Sequence, residues 1–175
     1  VSAEAAELIR AHARHPVGRD ESAPAEVRGR AEVRGRAEVR GRAELLTPTC
    51  GDRIEVRVSG SATALAIRWS GRGCEVSQGS ASLLADELDG LDAGAVRDRT
   101  AAFLAAMAEH DAMSGRGATP GRAETPGVDS GPPLGDEAAL LLVAANPVRS
   151  VCATLAWRAL RDALEQSGLD EGGAG

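Results

Sequence analysis

The sequence predicts a small mixed α/β (α+β) fold, and three observations carry that reading. Residues 53 to 58 alternate, with Ile54, Val56 and Val58 on one side and Arg53, Glu55 and Arg57 on the other, the period-2 signature of a half-buried strand. Leu65, Ile67 and Trp69 alternate again beyond the turn Ser59-Gly60-Ser61, so the two strands should pair as a hairpin. The other apolar residues recur at helical spacing on both sides of this hairpin. A chain of 175 residues suits one domain with length to spare for loops.

Taken in order, residues 2 to 14 read as a short helix. Ser2 can cap it, Ala5, Ala6, Leu8, Ile9 and Ala13 form its apolar side, and His15-Pro16-Val17-Gly18 ends it. The hexapeptide Ala-Glu-Val-Arg-Gly-Arg then occurs three times from Ala25 to Arg42, with six Arg against three Glu. Each copy offers one Val among charges, too little to build a core, so residues 25 to 46 are expected to be a charged, solvent-exposed loop expanded by replication slippage. After the hairpin, Gly71-Arg72-Gly73 breaks the second strand and delivers Cys74. Ser77 or Ser80 can cap a helix through Leu88, stopped by Gly90. Asp92 can cap another helix to about His110, with Val96, Phe103, Leu104 and Met107 on its core side. Residues 113 to 135 hold six Gly and four Pro, a flexible excursion. Asp136 can start a short helix through Ala145, ended by Asn146-Pro147, and the last helix is expected to begin near Cys152. Its broad apolar face is Leu155, Ala156, Ala159, Leu160 and Ala163, and the end of the chain, 167 to 175, should be a disordered tail.

Composition excludes several classes of function. A net charge of -6 and only three aromatic residues (Trp69, Phe103, Trp157) argue against nucleic acid as a partner. Every basic residue is Arg, so neither a Schiff-base lysine nor a phosphate-loop lysine is available. No apolar run approaches the roughly 18 residues of a membrane span, and the acidic start Val1-Ser2-Ala3-Glu4 lacks the layout of a signal peptide. Three cysteines without an export signal fit a reducing cytoplasm and either free thiols, buried structural cysteines or a metal site.

Those cysteines carry most of the functional signal. Cys50 lies in Thr47-Pro48-Thr49-Cys50-Gly51-Asp52, Cys74 follows the glycine-rich break, and Cys152 stands in Arg149-Ser150-Val151-Cys152-Ala153-Thr154. With Asp52 they make a complete four-ligand set for a tetrahedral metal. Cys50 and Asp52, two apart across a Gly, can reach one ion, while Cys152 near a helix start should have its thiolate favoured by the helix dipole. The sequence gaps of 24 and 78 residues are unlike the close pairs of zinc fingers, so spacing permits a shared site without requiring one. Three thiolates suit Zn(II), Cu(I) or iron–sulfur iron better than Mg or Ca. His12, His15 and His110 are left outside the ligand set.

The phrases together resemble the IscU/NifU-type iron–sulfur cluster assembly family, most closely its SufU branch. The match rests on Pro48-Thr49-Cys50-Gly51-Asp52-Arg53-Ile54, on Gly71-Arg72-Gly73-Cys74-Glu75-Val76-Ser77 continuing into Ser80-Ala81-Ser82, and on Arg149 with Cys152-Ala153-Thr154-Leu155-Ala156-Trp157. His12-Ala13-Arg14-His15-Pro16 resembles a weakened form of the family's opening helix end, with Ala13 in place of the usual Tyr. The strong resemblance spans roughly 45 to 110 and 146 to 166. Val151 stands where IscU proteins carry His, Asn146-Pro147-Val148-Arg149 stands near their Leu-Pro-Pro-Val-Lys chaperone motif, and the insertion falls between the second and third cysteines, all of which favours the SufU branch.

The resemblance implies a small, mainly antiparallel sheet with helices packed on one face. It divides the chain into an N-terminal helix and turn (1–24), the repeat loop (25–46), a SufU/IscU-like metal-binding domain (47–166) with the 113–135 insertion, and the tail (167–175). It implies that Cys50, Asp52, Cys74 and Cys152 bind zinc, and that Cys50 takes persulfide sulfur from a SufS-type cysteine desulfurase once a desulfurase His replaces one ligand. Arg149 would support the thiolate or the partner contact, or else be an ordinary surface charge, and downstream SUF proteins would be further partners. This reading makes the chain a zinc-dependent sulfurtransferase acting with its desulfurase. The alternatives are a scaffold on which a transient Fe–S cluster is built by the same cysteines, and a zinc domain whose site only holds the fold.

Overall fold

The computed structural model describes residues 3–22, 39–115 and 133–169. Three strands, β1 (Val39–Leu46), β2 (Arg53–Ser61) and β3 (Ala64–Arg72), form an antiparallel sheet in the order β1-β2-β3. Around it lie α1 (Ala3–Arg14), α2 (Glu75–Leu88), α3 (Ala93–Gly115), a 3-10 helix (Asp136–Val143) and α4 (Pro147–Ser167). Ser2, the first two copies of the repeat, most of the Gly/Pro-rich insertion and residues 170–175 lie outside the described residues.

The hairpin has the register its alternation demands: Val56 faces Trp69 and Val58 faces Ile67, and all four are fully buried. Their face of the sheet meets the helices. α4 lies across β1 and β2, α2 against β3 and α4, α1 against α2, and α3 against α4. Phe103 of α3 and Trp157 of α4 pack ring to ring at 4.2 Å between centroids, tilted by 30°. Among the described residues, no helix is long and apolar enough to cross a membrane.

Three expectations are corrected. Residues 39–46, expected to be loop, form β1, with Ala43 opposite Val56 and Leu45 opposite Ile54. The third copy of the repeat therefore does enter the core, through its smallness: a Cβ on Gly41 would fall 1.9 Å from the Ala163 carbonyl oxygen of α4. A large apolar side chain, the usual mark of a core strand, has no room there, which is why the pattern read as loop.

The second correction concerns the outer face of β2. Glu55 and Arg57 were expected to face solvent, yet both are buried. Glu55 pairs with Arg42 at 2.6 Å and with Arg57 at 3.3 Å. Arg57 in turn donates to the main-chain carbonyls of Asp20 and Ser22, so the segment after α1 is drawn over this face. That segment also runs beside β3, where Trp69 N–H donates to the Gly18 carbonyl at 3.0 Å and Asp20 N–H to the Trp69 carbonyl at 2.7 Å. The charges are tolerated because each has a partner.

Third, the last helix starts at Pro147, earlier than expected. Asn146 is its N-cap, accepting from Val148 N–H at 3.0 Å and Arg149 N–H at 3.3 Å. Asn-Pro was read as a stop, but Asn is a strong cap and Pro suits the first helical position because its missing N–H would have no partner there.

Candidate metal centre

The site is assembled at one end of the sheet from two strand exits and the body of a helix. Between β1 and β2 the chain makes a short turn clamped by Thr47, which is buried. Its N–H donates to the Asp52 carbonyl at 2.8 Å, its hydroxyl accepts from Asp52 N–H at 3.1 Å, and its carbonyl accepts from Gly51 N–H at 2.8 Å. Gly51 takes φ of 70°, a left-handed conformation costly for other residues, and this reverses the chain between Cys50 and Asp52. The consequence is a division of labour within one phrase: Cys50 is left exposed while Asp52 is turned inward to 4% exposure.

Cys74 arrives from the exit of β3 as the N-cap residue of α2 and is exposed. The glycine before it is sterically required, because a Cβ on Gly73 would lie 2.2 Å from Ser77 Oγ and 2.9 Å from Asp52 Cγ. Cys152 comes from α4 and is buried. It lies five residues after Pro147, in the second turn, so the helix N-terminus does not act on it as expected. Without a metal its thiol is instead pushed well up from the usual 9.0, by burial first and then by Cys74 and Asp52.

One carboxylate oxygen of Asp52 and the sulfurs of Cys74 and Cys152 all lie within 4.8 Å of one another. Cys50 Sγ is 3.9 Å from Cys152 Sγ. Two thiolates on a tetrahedral zinc, with Zn–S near 2.3 Å, stand roughly 3.8 Å apart, so that gap already suits an ion. Burial acts to raise the Asp52 pKa, but hydrogen bonds from Cys74 and Ser77, with smaller contributions from the Cys74 main chain and Cys152, hold it below the ordinary 3.8. Asp52 Oδ2 is buried with no hydrogen-bond partner among the described residues. A buried ionised oxygen without a donor is costly, and a cation beside it would remove that cost. The mutually close donors are two sulfurs and one carboxylate oxygen, a set whose chemistry fits Zn(II), and Asp52, Cys74 and Cys152 are the residues that would hold it; Cys50, close to Cys152, is not part of that trio.

The other residues singled out in the sequence separate cleanly. His12 is engaged elsewhere, its Nδ1 2.8 Å from Ser82 Oγ. Arg149 lies on the exposed first turn of α4, three residues before Cys152, and lines a cavity with Glu75, Val76 and Asn146. Two supporting residues had been given no role at the site, Thr47 and Ser77. Ser77 could have been found from its place one helical turn after Cys74; nothing in the spacing points to Thr47.

Over 128 residues the chain is 32% identical to the zinc-dependent sulfurtransferase SufU of Bacillus subtilis (strain 168), covering 72% of this chain and 74% of that protein. Two solved structures share the fold. A candidate iron–sulfur cluster assembly scaffold protein for the SUF system from Fervidobacterium islandicum AW-1 aligns with a TM-score of 0.58 and 17% identity over 90% of this chain and 94% of its own. The N-terminal part of a nitrogen-fixing NifU-like protein from Brucella abortus aligns with a TM-score of 0.57 and 18% identity over 95% of this chain and 94% of its own. No protein-family model matches the chain.

Proposed function

Because the chain belongs to the SufU/IscU/NifU-like family of iron–sulfur cluster assembly proteins, we propose that it is a zinc-dependent sulfur acceptor and carrier for a SUF-type cysteine desulfurase. Cys50 is the receiving thiol. The observation that supports this most is the inequality of the four ligands. Asp52 and Cys152 are buried and Cys50 and Cys74 exposed, but Cys74 belongs to the mutually close trio with Asp52 and Cys152, whereas Cys50 stands outside it on a turn beside the positive-φ Gly51. A partner can reach Cys50 without opening the core, while Asp52, Cys74 and Cys152 keep the ion.

Bound zinc would keep the cysteines as thiolates and damp their nucleophilicity until a ligand is exchanged. In the transfer, the Cys50 thiolate attacks the terminal sulfur of the donor's cysteine persulfide. A new S–S bond forms on Cys50, the donor's S–S bond breaks, and the donor cysteine leaves as a thiolate. No external oxidant or reductant is consumed. Arg149, on the rim of the same end of the molecule, supports the thiolate or the docked donor. The setting is a reducing cytoplasm, with later SUF proteins as sulfur recipients.

The test is persulfide transfer from a SufS-type desulfurase, read by intact mass as addition of one sulfur atom. The wild type should gain the sulfur and Cys50→Ala should not. A Cys50→Ala variant that accepts sulfur at the wild-type rate would overturn the assignment. Anaerobic iron and sulfide should leave the zinc-loaded protein colourless. A stable brown cluster on the same cysteines would instead establish the scaffold reading.

A further inference from the structure

We propose that Cys50 and Cys152 form an oxidation site: in the zinc-free chain, hydrogen peroxide joins them as an internal disulfide that keeps zinc out until a dithiol reopens it. The effect on zinc rests on the metal-binding reading above; the pairing of the two sulfurs does not. Cys50 Sγ stands 3.9 Å from Cys152 Sγ, although the two are 102 residues apart in sequence. A disulfide bond is about 2.05 Å long, so closure requires an approach of roughly 2 Å. Cys50 can supply it. It is exposed on a surface turn, and the Cβ position of Gly51 beside it meets nothing within 4 Å. Cys74 is the competing thiol, exposed as well and with its sulfur within 4.8 Å of that of Cys152. Its backbone is pinned. The Cys74 carbonyl accepts from Gln78 N–H at 3.1 Å and from the Ser77 hydroxyl at 3.0 Å, and the Gly73 carbonyl accepts from the Gln78 side-chain amide at 2.6 Å. Cys50 therefore closes on Cys152 by a shift of a surface turn, whereas carrying Cys74 across disturbs the start of α2.

Exposure makes Cys50 the first target and burial makes Cys152 the thiol that resolves it. The Cys50 sulfur attacks one peroxide oxygen, the O–O bond breaks, hydroxide leaves, and Cys50 becomes a sulfenic acid. The Cys152 sulfur then attacks the Cys50 sulfur. The S–S bond forms, the S–O bond breaks, and the departing hydroxide leaves as water with the Cys152 proton. In sum, two thiols and one hydrogen peroxide give one disulfide and two waters; each sulfur gives up one electron and the peroxide takes both. The product removes Cys152 from the trio with Asp52 and Cys74. An ion held by that trio engages the Cys152 sulfur and so opposes the second step.

The experiment treats the full chain, zinc-free and zinc-loaded, with an equimolar amount of hydrogen peroxide and maps the products by mass after trypsin under non-reducing conditions. Trypsin cuts after Arg, which leaves Cys50, Cys74 and Cys152 in separate peptides, 43–53, 73–97 and 150–158. The zinc-free chain should yield 43–53 linked to 150–158, and Cys74→Ser should yield the same link. The oxidised chain should take up no zinc in competition with a chelator until dithiothreitol is added, and the zinc-loaded chain should form the link more slowly. A dominant link that includes 73–97, links only between separate chains, or oxidised Cys50 and Cys152 without a link would overturn the inference. So would a linked chain that binds zinc as tightly as the reduced one. If the reduced chain itself binds no zinc, the metal-binding reading fails and the effect on zinc with it, while a link between 43–53 and 150–158 still upholds the oxidation site.

Discussion

Cys50 and Cys152 bring their sulfurs within 3.9 Å of each other from opposite kinds of structure. Cys50 sits on a turn, exposed, next to a glycine with φ of 70° whose Cβ position meets nothing within 4 Å. Cys152 sits in the second turn of a long helix, buried, with Ala153, Leu155 and Ala156 around it also buried. Two neighbouring thiols can therefore differ in what it takes to move them. Moving Cys50 rearranges a surface turn; moving Cys152 means repacking α4 against the sheet.

The largest test of that difference removes each sulfur in turn. Cys152→Ser should weaken zinc binding by more than about 100-fold, beyond what the loss of an outer partner usually costs, since nothing else can take its buried place. Cys50→Ser should cost about 10-fold, because the other three ligands remain set and water can reach the vacated position. Equilibrium competition with a chromogenic chelator measures both. Equal losses would erase the distinction between held and exchangeable ligands.

The glycines beside the ligands offer a smaller, steric version of the same comparison. Gly73→Ala places a methyl group against Asp52 and Ser77, and overpacking of this kind costs typically about 1–3 kcal/mol. Gly51→Ala meets open space and suffers only the left-handed backbone penalty, roughly 1–2 kcal/mol. Chemical denaturation of the metal-free variants compares the two stabilities. Zinc affinity should separate them further, because only Gly73→Ala disturbs Asp52. A larger affinity loss in Gly51→Ala would show that the Cys50 turn is the more rigid part.

The smallest effect is the pH response of the metal-free protein. Asp52 has its folded pKa held below 3.8, so its contribution is present above that value and lost as the pH falls through the folded one. Cys152 has its folded pKa raised above 9.0, so stability is unaffected by it below pH 9.0 and declines as the pH rises further. Thermal melts of wild type, Asp52→Asn and Cys152→Ser across pH read the two limbs. The acid limb should become shallower only in Asp52→Asn and the alkaline limb only in Cys152→Ser.

Much of this was legible from local pattern. The period-2 runs at 54–58 and 65–69 became β2 and β3, and Val96, Phe103 and Met107 became the buried side of α3, because large apolar residues at regular spacing leave few ways to hide them. β1 was not legible. Its contribution to the core is Gly41 and Ala43, whose value comes from the space they yield to α4. Nor was the burial of Glu55 and Arg57, since the carbonyls that accept from Arg57 belong to Asp20 and Ser22, more than thirty residues away in sequence.

The candidate donor types, the hairpin, the helix periods and, through three short phrases, the family could be read from the chain alone. Those are properties of residue chemistry and near-neighbour spacing. The meeting of Cys74, Cys152 and Asp52 within 4.8 Å, and the placing of exposed Cys50 3.9 Å from Cys152, came only with the folded chain. Distances between strand exits and a helix 78 residues further on depend on how α4 packs across the sheet. That packing is set by the summed shape of many side chains rather than by any one phrase.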